Sequence, residues 1–285
     1  MGNETWVTET VNDADGFRTS LKAAGPPRRL ESTQDLQVFD SIAFGKVMML
    51  DGAFQITAAD EFIYHEMMAH MPLFSHPNAE RVLIIGGGDG GIAREALRHP
   101  SVTAATLVEI DAAVVALCRS EFEGVSAGAF DDPRLSVVIA DGATFVAETD
   151  ERFDVVIVDS PDPVGAGAVL FTEAFYAGCR RVLRPGGILV TQSGMPFLTP
   201  DFFRAHAATL ARVFPHRRFF TSTVPSYTGG PMAHGFSSDD PGRSGTATEA
   251  LAARQSALGL TFRYWTPAIH QAAFALPQYV ADLVD

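Results

Sequence analysis

Val82-Leu83-Ile84-Ile85-Gly86-Gly87-Gly88-Asp89-Gly90-Gly91 is the stretch whose reading decides the fold. Its opening residues form an uninterrupted apolar run, as expected of a strand buried on both faces of a sheet. The glycines let the backbone turn tightly and approach a ligand with no Cβ in the way. A helical pattern over residues 92–99 follows at once. Strand, glycine loop and helix in that order form the setting in which such a loop holds a nucleoside, although a ligand-free βα turn uses the same residue types.

Outward from this stretch, further apolar runs at residues 105–110, 135–140, 154–158 and 188–191 alternate with helical patterns at 112–121, 173–183 and 201–214. That alternation predicts an α/β fold with a Rossmann-like, doubly wound parallel sheet. Arg184-Pro185-Gly186-Gly187 reads as a helix stop before a strand, and a shorter strand is expected at 219–224. Upstream, residues 37–43, 47–50 and 53–57 are separated by turn signals at Phe44-Gly45-Lys46 and Asp51-Gly52. They predict a small antiparallel sheet of about three strands. Residues 1–33 are polar and end in a turn-like Gly25-Pro26-Pro27. A helix is expected from Asp60 through Met71, with Phe62, Ile63, Met67, Met71 and Phe74 on its buried stripe and Tyr64 and Met68 off it.

Composition narrows the function. Hydrophobic residues make up 47% of the 285 and charged residues 19%, which excludes intrinsic disorder. Lys plus Arg is 21 against 34 Asp plus Glu, a net charge of −13. That balance argues against nucleic acid and anionic membranes as partners, since phosphate binding needs clustered basic charge. It suits a cationic small molecule. Cys118 and Cys179 have no paired metal or redox spacing, and no long apolar run occurs, so a cytoplasmic protein in a reducing compartment is expected.

Several residues carry candidate chemistry. Glu109 ends the second buried strand, 20 residues after Asp89, about where an acidic residue meets a ribose hydroxyl pair. Asp141-Gly142 ends the third; the Asp either accepts from an adenine amino group or caps the next helix. Asp89 stands where a pyrophosphate would want only backbone N–H groups. A carboxylate there favours a ligand with a positive centre, such as a sulfonium compound of the S-adenosylmethionine type. Asp159-Ser160-Pro161-Asp162-Pro163 follows the fourth strand and offers paired carboxylates where open α/β sheets bind ligands; turn chemistry explains the same residues equally well. Residues 165–170 form a small-residue loop able to close over a substrate. Other candidates fail. His65 and His70 are five apart, so they do not share a helix face and no metal site is expected. Neither cysteine has a positioned base, Ser193 lacks a nucleophile elbow, and His270 and the methionine pairs read as structural.

Taken together, these motifs make the chain similar to the polyamine aminopropyltransferases, the spermidine synthase family. The resemblance runs from about Gln34 to Val280. It rests on Gln34-Asp35-Leu36, Phe44 to Gly52, Asp60-Glu61-Phe62-Ile63-Tyr64-His65-Glu66-Met67, Val82 to Gly91, Val108-Glu109-Ile110-Asp111, Asp159 to Pro163, Pro225-Ser226-Tyr227 and Pro267 to Pro277, in that order. Trp6-Val7-Thr8-Glu9 loosely resembles the family's N-terminal segment. Departures are Thr33, Ala58-Ala59, Ala166 and the broken run Pro231 to Phe236, where relatives carry an apolar final strand.

The resemblance implies a fold, a reaction and a site. It implies an N-terminal β-strand domain over residues 1–58 and a catalytic domain with a seven-stranded, methyltransferase-type sheet over 59–285. Decarboxylated S-adenosylmethionine donates its aminopropyl group to a diamine, putrescine first, releasing methylthioadenosine; cadaverine, agmatine and spermidine are the other acceptors considered. Asp159 matches the proton acceptor. Gln34, Gln55, Tyr64, His65, Gly86, Asp89, Glu109, Ile110, Asp141 and Gly142 match the donor site. Tyr64, Asp159, Asp162 and Tyr227 match the acceptor site. No metal or prosthetic group is implied, and a homodimer or homotetramer is. A methyltransferase would share the glycine loop and Glu109, but leaves the N-terminal strands and the Asp159–Asp162 pair unexplained; a non-catalytic binding protein leaves unexplained why both carboxylates and both tyrosines are present.

Overall fold

The computed structural model describes residues 4–11, 16–160 and 165–284. The N-terminal part is an antiparallel sheet built from β1 (Thr5–Thr8), β2 (Ser20–Ala23), β3 (Arg28–Leu30), β4 (Leu36–Ser41), β5 (Gly45–Leu50) and β6 (Ala53–Thr57). Its order is β1-β2-β4-β5-β6, with β3 on β4. The sheet thus has six strands rather than about three. The extra strands lie in the polar first 33 residues, where β1 and β2 bury only Val7, Leu21 and Ala23. So few apolar positions leave no readable alternation.

α1 (Glu61–Ser75) connects this sheet to the rest. It extends past Met71 through Pro72, and every residue in it except Phe62 is buried. The expected single stripe is therefore corrected. Tyr64 and Met68 are buried alongside Met67 and Met71, while Phe62 lies outermost beneath the Arg263 guanidinium, 3.5 Å from its ring centre. A helix surrounded on all sides has no polar face to reveal its orientation.

Beyond α1 the chain alternates. β7 (Arg81–Gly86), α2 (Gly91–Leu97), β8 (Ala104–Glu109), α3 (Ala112–Glu121), α4 (Glu123–Ser126), β9 (Leu135–Ile139), α5 (Gly142–Glu148), β10 (Phe153–Asp159), α6 (Glu173–Val182), β11 (Leu183–Gln192) and α7 (Pro200–Val213) come in turn. β12 (His216–Ser222), β13 (Met232–Ser238), α8 (Thr248–Leu258), α9 (Pro267–Ala273) and α10 (Gln278–Ala281) complete the chain. The sheet has seven strands, ordered β12-β13-β11-β10-β7-β8-β9. The five from β11 to β9 are parallel, and β13 runs antiparallel to both of its neighbours, β11 and β12. Alternate residues of the apolar runs face opposite cores. Val82, Ile84, Val155 and Ile157 meet the side holding α1, whereas Leu83, Ile85, Val156 and Val158 meet the side holding α6 and α7. Leu36, Val38, Met48 and Ile56 of the small sheet join the first of these cores.

β13 corrects the expectation of a broken segment. All seven of its residues are buried between β11 and β12. A Cβ at Gly235 would sit 2.6 Å from Thr191 Oγ1, so the small residue is what that close packing requires.

The strand order reverses at β7, with β8 and β9 to one side and β10 and β11 to the other. Carboxyl ends diverge at such a switch point and leave a crevice. The register pairs Asp159 with Gly86 there. Gly86 has φ +80°, and a Cβ on it would collide with the Asp159 carbonyl.

Candidate active site

A cleft of about 180 Å³ opens at this switch point. Its walls include Gly86 and Asp89 from the glycine loop, Glu109 and Ile110 from the end of β8, Asp141 and Gly142 at the start of α5, and Asp159 from β10. Gln34 and Gln55 from the small sheet, Tyr64 and His65 from α1, and Tyr227 from the loop after β12 close the other side. Every described candidate residue from the sequence therefore lines one cleft. Asp162 lies outside the described residues.

Asp159 lines the cleft from the carboxyl end of β10. The Tyr64 hydroxyl donates to Asp159 Oδ1 at 2.6 Å. Burial, and then the like charge of Asp89, push the Asp159 carboxyl up from 3.8 to about 7, against the pull of the Tyr64 hydrogen bond and of His65. Burial and the Asp159 charge also push the Tyr64 phenol well above 10, so the proton in that bond stays on the tyrosine. The result is a carboxyl poised near neutrality, the condition in which it best exchanges a proton.

Asp89 is held differently. Its Oδ1 accepts from the Gly91 N–H at 2.6 Å and faces His65 Nε2 at 3.4 Å. Burial disfavours its charge, but His65 and Gly91 outweigh burial and keep its carboxyl below the usual range. The two acids thus face one cleft with opposite tendencies. Glu109 accepts from the Asp111 N–H at 3.0 Å, and burial raises its carboxyl. Gly88 is needed beside it, because a Cβ there would come within 2.9 Å of Glu109 Oε2.

Two candidates meet partners that the sequence leaves undecided. Asp141 caps α5, accepting from the Thr144 N–H at 2.6 Å, while still lining the cleft. The Tyr227 hydroxyl donates to the Gln55 carbonyl at 2.5 Å, so it presents its ring, edge-on to Tyr64 at 6.1 Å, rather than a free hydroxyl. Gln34 donates to Asp51 at 3.0 Å. Ile110 is 43% exposed at the rim.

Sequence reasoning passed over some contributors. Glu61 bonds His65 and its signal, a spacing of four on a helix, was there to read. Ser160 is buried in the cleft wall, and its hydroxyl has no hydrogen-bond partner among the described residues. Met195, Thr228 and Met232 also line the cleft. Met195 follows β11, Thr228 directly follows the Pro225-Ser226-Tyr227 motif and Met232 opens β13; none of the three belongs to a motif. Asp60 accepts from Thr57 Oγ1, Ser226 N and Ser226 Oγ at 2.6, 2.7 and 3.1 Å, tying the Tyr227 loop to the start of α1.

The rejected candidates have structural partners. His70 bonds Glu95 and His99 at 2.9 and 3.0 Å, away from His65. His270 accepts from Trp265 at 3.3 Å. Both cysteines are buried, and burial raises both thiols.

Residues 61–244 match the spermine/spermidine synthase domain, and residues 29–58 match the spermidine synthase tetramerisation domain. A polyamine aminopropyltransferase of Klebsiella pneumoniae (strain 342) is 51% identical over 249 residues, 87% of each chain. One from Salmonella arizonae is 50% identical over 282 residues, 99% of this chain and 98% of the relative. A crystal structure of spermidine synthase in complex with the transition state analogue AdoDATO superposes with a TM-score of 0.90 at 35% identity, covering 98% of this chain and 94% of the other. Spermidine synthase from Thermotoga maritima superposes with a TM-score of 0.87 at 34% identity, over the same shares. With one cleft gathering the acids and tyrosines of the sequence motifs, and with matches along nearly its whole length, the chain belongs to the spermine/spermidine synthase family and is an aminopropyltransferase.

Proposed function

We propose that the enzyme transfers the aminopropyl group of decarboxylated S-adenosylmethionine to putrescine, giving spermidine and methylthioadenosine. The carrying observation is Asp159, a carboxyl raised to about 7 at the switch point, bonded by Tyr64 and facing Asp89. The neighbouring spermidine synthase bound to a transition state analogue supports the donor reading.

The acceptor arrives as an ammonium, which has no lone pair. Asp159 takes its proton, and the freed lone pair attacks the carbon next to the sulfonium. The C–S bond breaks, its electrons return to sulfur, and the new bond leaves the nitrogen as a secondary ammonium that carries its two remaining protons. An amine of pKa about 10.4 facing an ordinary Asp of 3.8 gives up its proton at a cost of about 9 kcal/mol. Raising the acid to about 7 cuts that cost to about 5 kcal/mol. Sulfonium is already an activated leaving group, so the residues supply proton acceptance and alignment.

Asp89 attracts the terminal ammonium of the donor chain. Glu109 receives the ribose hydroxyls, and Asp141 and Gly142 face the adenine. Gly86 lets the donor approach the loop, and Gln34, Gln55, His65 and Ile110 complete its walls. Tyr64 lies between donor and acceptor, and Asp162 and Tyr227 serve the acceptor. The N-terminal sheet carries the contacts of a homodimer or homotetramer. No described helix is long and apolar enough to cross a membrane. The cytoplasmic assignment rests on the two cysteines, whose spacing suits a reducing compartment.

The test is mass spectrometry of products from decarboxylated S-adenosylmethionine with putrescine, cadaverine, agmatine and spermidine, beside parallel reactions with intact S-adenosylmethionine. Methylthioadenosine with spermidine as the main amine product is expected. A different aminopropylated amine as the main product would replace putrescine, and turnover of intact S-adenosylmethionine would overturn the donor assignment.

A further inference from the structure

His65 stands between two carboxylates. Its Nδ1 lies 2.5 Å from Glu61 Oε2, and its Nε2 lies 3.4 Å from Asp89 Oδ1. Both acids are committed as acceptors by other donors. Arg94 NH1 and NH2 reach the two oxygens of Glu61 at 3.2 and 3.0 Å, and the Gly91 N–H reaches Asp89. An ionised carboxylate offers no hydrogen to either nitrogen, so a proton is favoured on both sides of the ring, and a ring protonated on both nitrogens carries a positive charge. The ring is also locked in place, since a Cβ at Gly91 would collide with it.

Glu61 and Arg94 are buried or nearly so, and neither lines the cleft. Arg94 is itself anchored by the Val125 carbonyl at 2.5 Å and by Glu95 at 2.7 Å. A buried, linked row of alternating charge therefore leads from α2 through Glu61 and His65 to the cleft at Asp89. Single buried charges are costly, whereas paired and hydrogen-bonded ones persist. Nothing in the proton transfer itself uses Glu61 or Arg94.

We infer that Glu61 and Arg94 are positioning residues for the donor: they hold His65 as an imidazolium whose Nε2–H fixes the Asp89 carboxylate toward the donor's terminal ammonium. This rests on the donor assignment proposed above. The charged and titratable groups around the ring are Glu61 and Tyr64 of α1, Asp89 of the glycine loop, Arg94 of α2 and Asp159 of β10. The direction of the His65 shift agrees: burial opposes its charge, yet Asp89 and Glu61 outweigh burial and push it up to about 10.

The test has two readouts on the full chain. In a ¹⁵N-histidine NMR titration, with His65 assigned by its loss in His65→Asn, both ring nitrogens of His65 stay protonated through pH 8. In Glu61→Gln the ring loses its proton at lower pH, and the donor KM rises by about tenfold or more, as loss of a charge-assisted contact predicts. The acceptor KM stays within about threefold, because the acceptor walls are untouched, and so does kcat when it is read above the Asp159 titration, where loss of the His65 charge no longer changes the ionisation of Asp159. Arg94→Gln raises the donor KM as well, because Glu61 loses its anchor, but the ring keeps its proton, since removing a nearby cation strengthens an imidazolium. A neutral His65 in the wild type at pH 8 overturns the inference, and does so even if Glu61→Gln fails to fold. An unchanged donor KM, or an acceptor KM rising with it, overturns it as well. If the wild type transferred no aminopropyl group, the proposed function would fall. The titration would still decide the state of His65, with affinity for the donor then read by calorimetry.

Discussion

Replacing Tyr64 by Phe removes one hydroxyl and leaves the ring that packs against Tyr227 and His234. The lost contact is the 2.6 Å hydrogen bond to Asp159, in which tyrosine donates to a carboxylate. Such charge-assisted bonds contribute about 1.5–3 kcal/mol, or about 1–2 pH units at 1.36 kcal/mol each. The bond favours the ionised acid, so its loss moves Asp159 upward, from about 7 to roughly 8–9. At pH 7 the ionised fraction falls from about one half to about 1–10%. The kcat/KM, measured with both substrates kept well below saturation, should fall by about 5–50-fold at pH 7. At pH 9.5 the acid is ionised in both proteins, and the loss should shrink to less than about twofold. The assay is a pH profile of initial rates by methylthioadenosine release, because kcat/KM reports groups of the free enzyme. A loss of the same size at pH 7 and pH 9.5 would refute the reasoning and leave Tyr64 as an orienting group alone.

Asp159→Asn should keep donor binding by calorimetry while turnover falls by several orders of magnitude, about 10²–10⁴-fold from the lost base alone. The same variant should be more stable at pH 8 than the wild type. The folded acid is raised from 3.8 to about 7, so folding is penalised above 3.8 and the full penalty is reached above 7. That penalty is at most about 4 kcal/mol and smaller in practice, because the side chain opens partly to the cleft; thermal melts at pH 8 and pH 4 should show a gain at the former and none at the latter. Glu66→Ala should cost about 2–4 kcal/mol in denaturant melts, since Glu66 accepts the N–H groups of Arg263, Tyr264 and Trp265 at 2.7–2.8 Å and nothing replaces it. Gly91→Ala should raise the donor KM and lower the melting temperature, the added methyl driving His65 off Asp89; an unchanged donor KM would contradict the packing described.

Legibility differed from element to element for physical reasons. The five parallel strands were readable because burial on both faces leaves a run without polar interruption; four runs are found within a residue or two of their strands, while β11 begins at Leu183, five residues before its apolar run, and takes in the segment expected as a helix stop. The glycine loop was readable because positive φ at Gly86, Gly87 and Gly90 restricts the residue type. β1 to β3 were not, since a strand that buries at most two apolar residues resembles a polar loop. The orientation of α1 was not readable either, because total burial erases the contrast that periodicity depends on. Among the site residues, Asp89, Glu109, Asp141 and Asp159 announced themselves by standing at strand ends. Ser160, Met195 and Thr228 did not, because polar and sulfur side chains in loops carry no pattern of their own.

By itself the sequence determined the α/β class, the nucleoside-type loop, the family and which acids stand at the carboxyl edge, all from local pattern and motif order. The tertiary structure alone decided what those acids do to one another. Tyr64 reaches Asp159 across 95 positions of chain, and His65 meets Asp89 only because α1 lies against the start of α2. The contrast between a carboxyl raised to about 7 and another held below the usual range follows from burial and from neighbours brought together at the strand-order switch. A sequence records which groups can ionise; their distances and burial, which set the energy of doing so, exist only once the chain has folded.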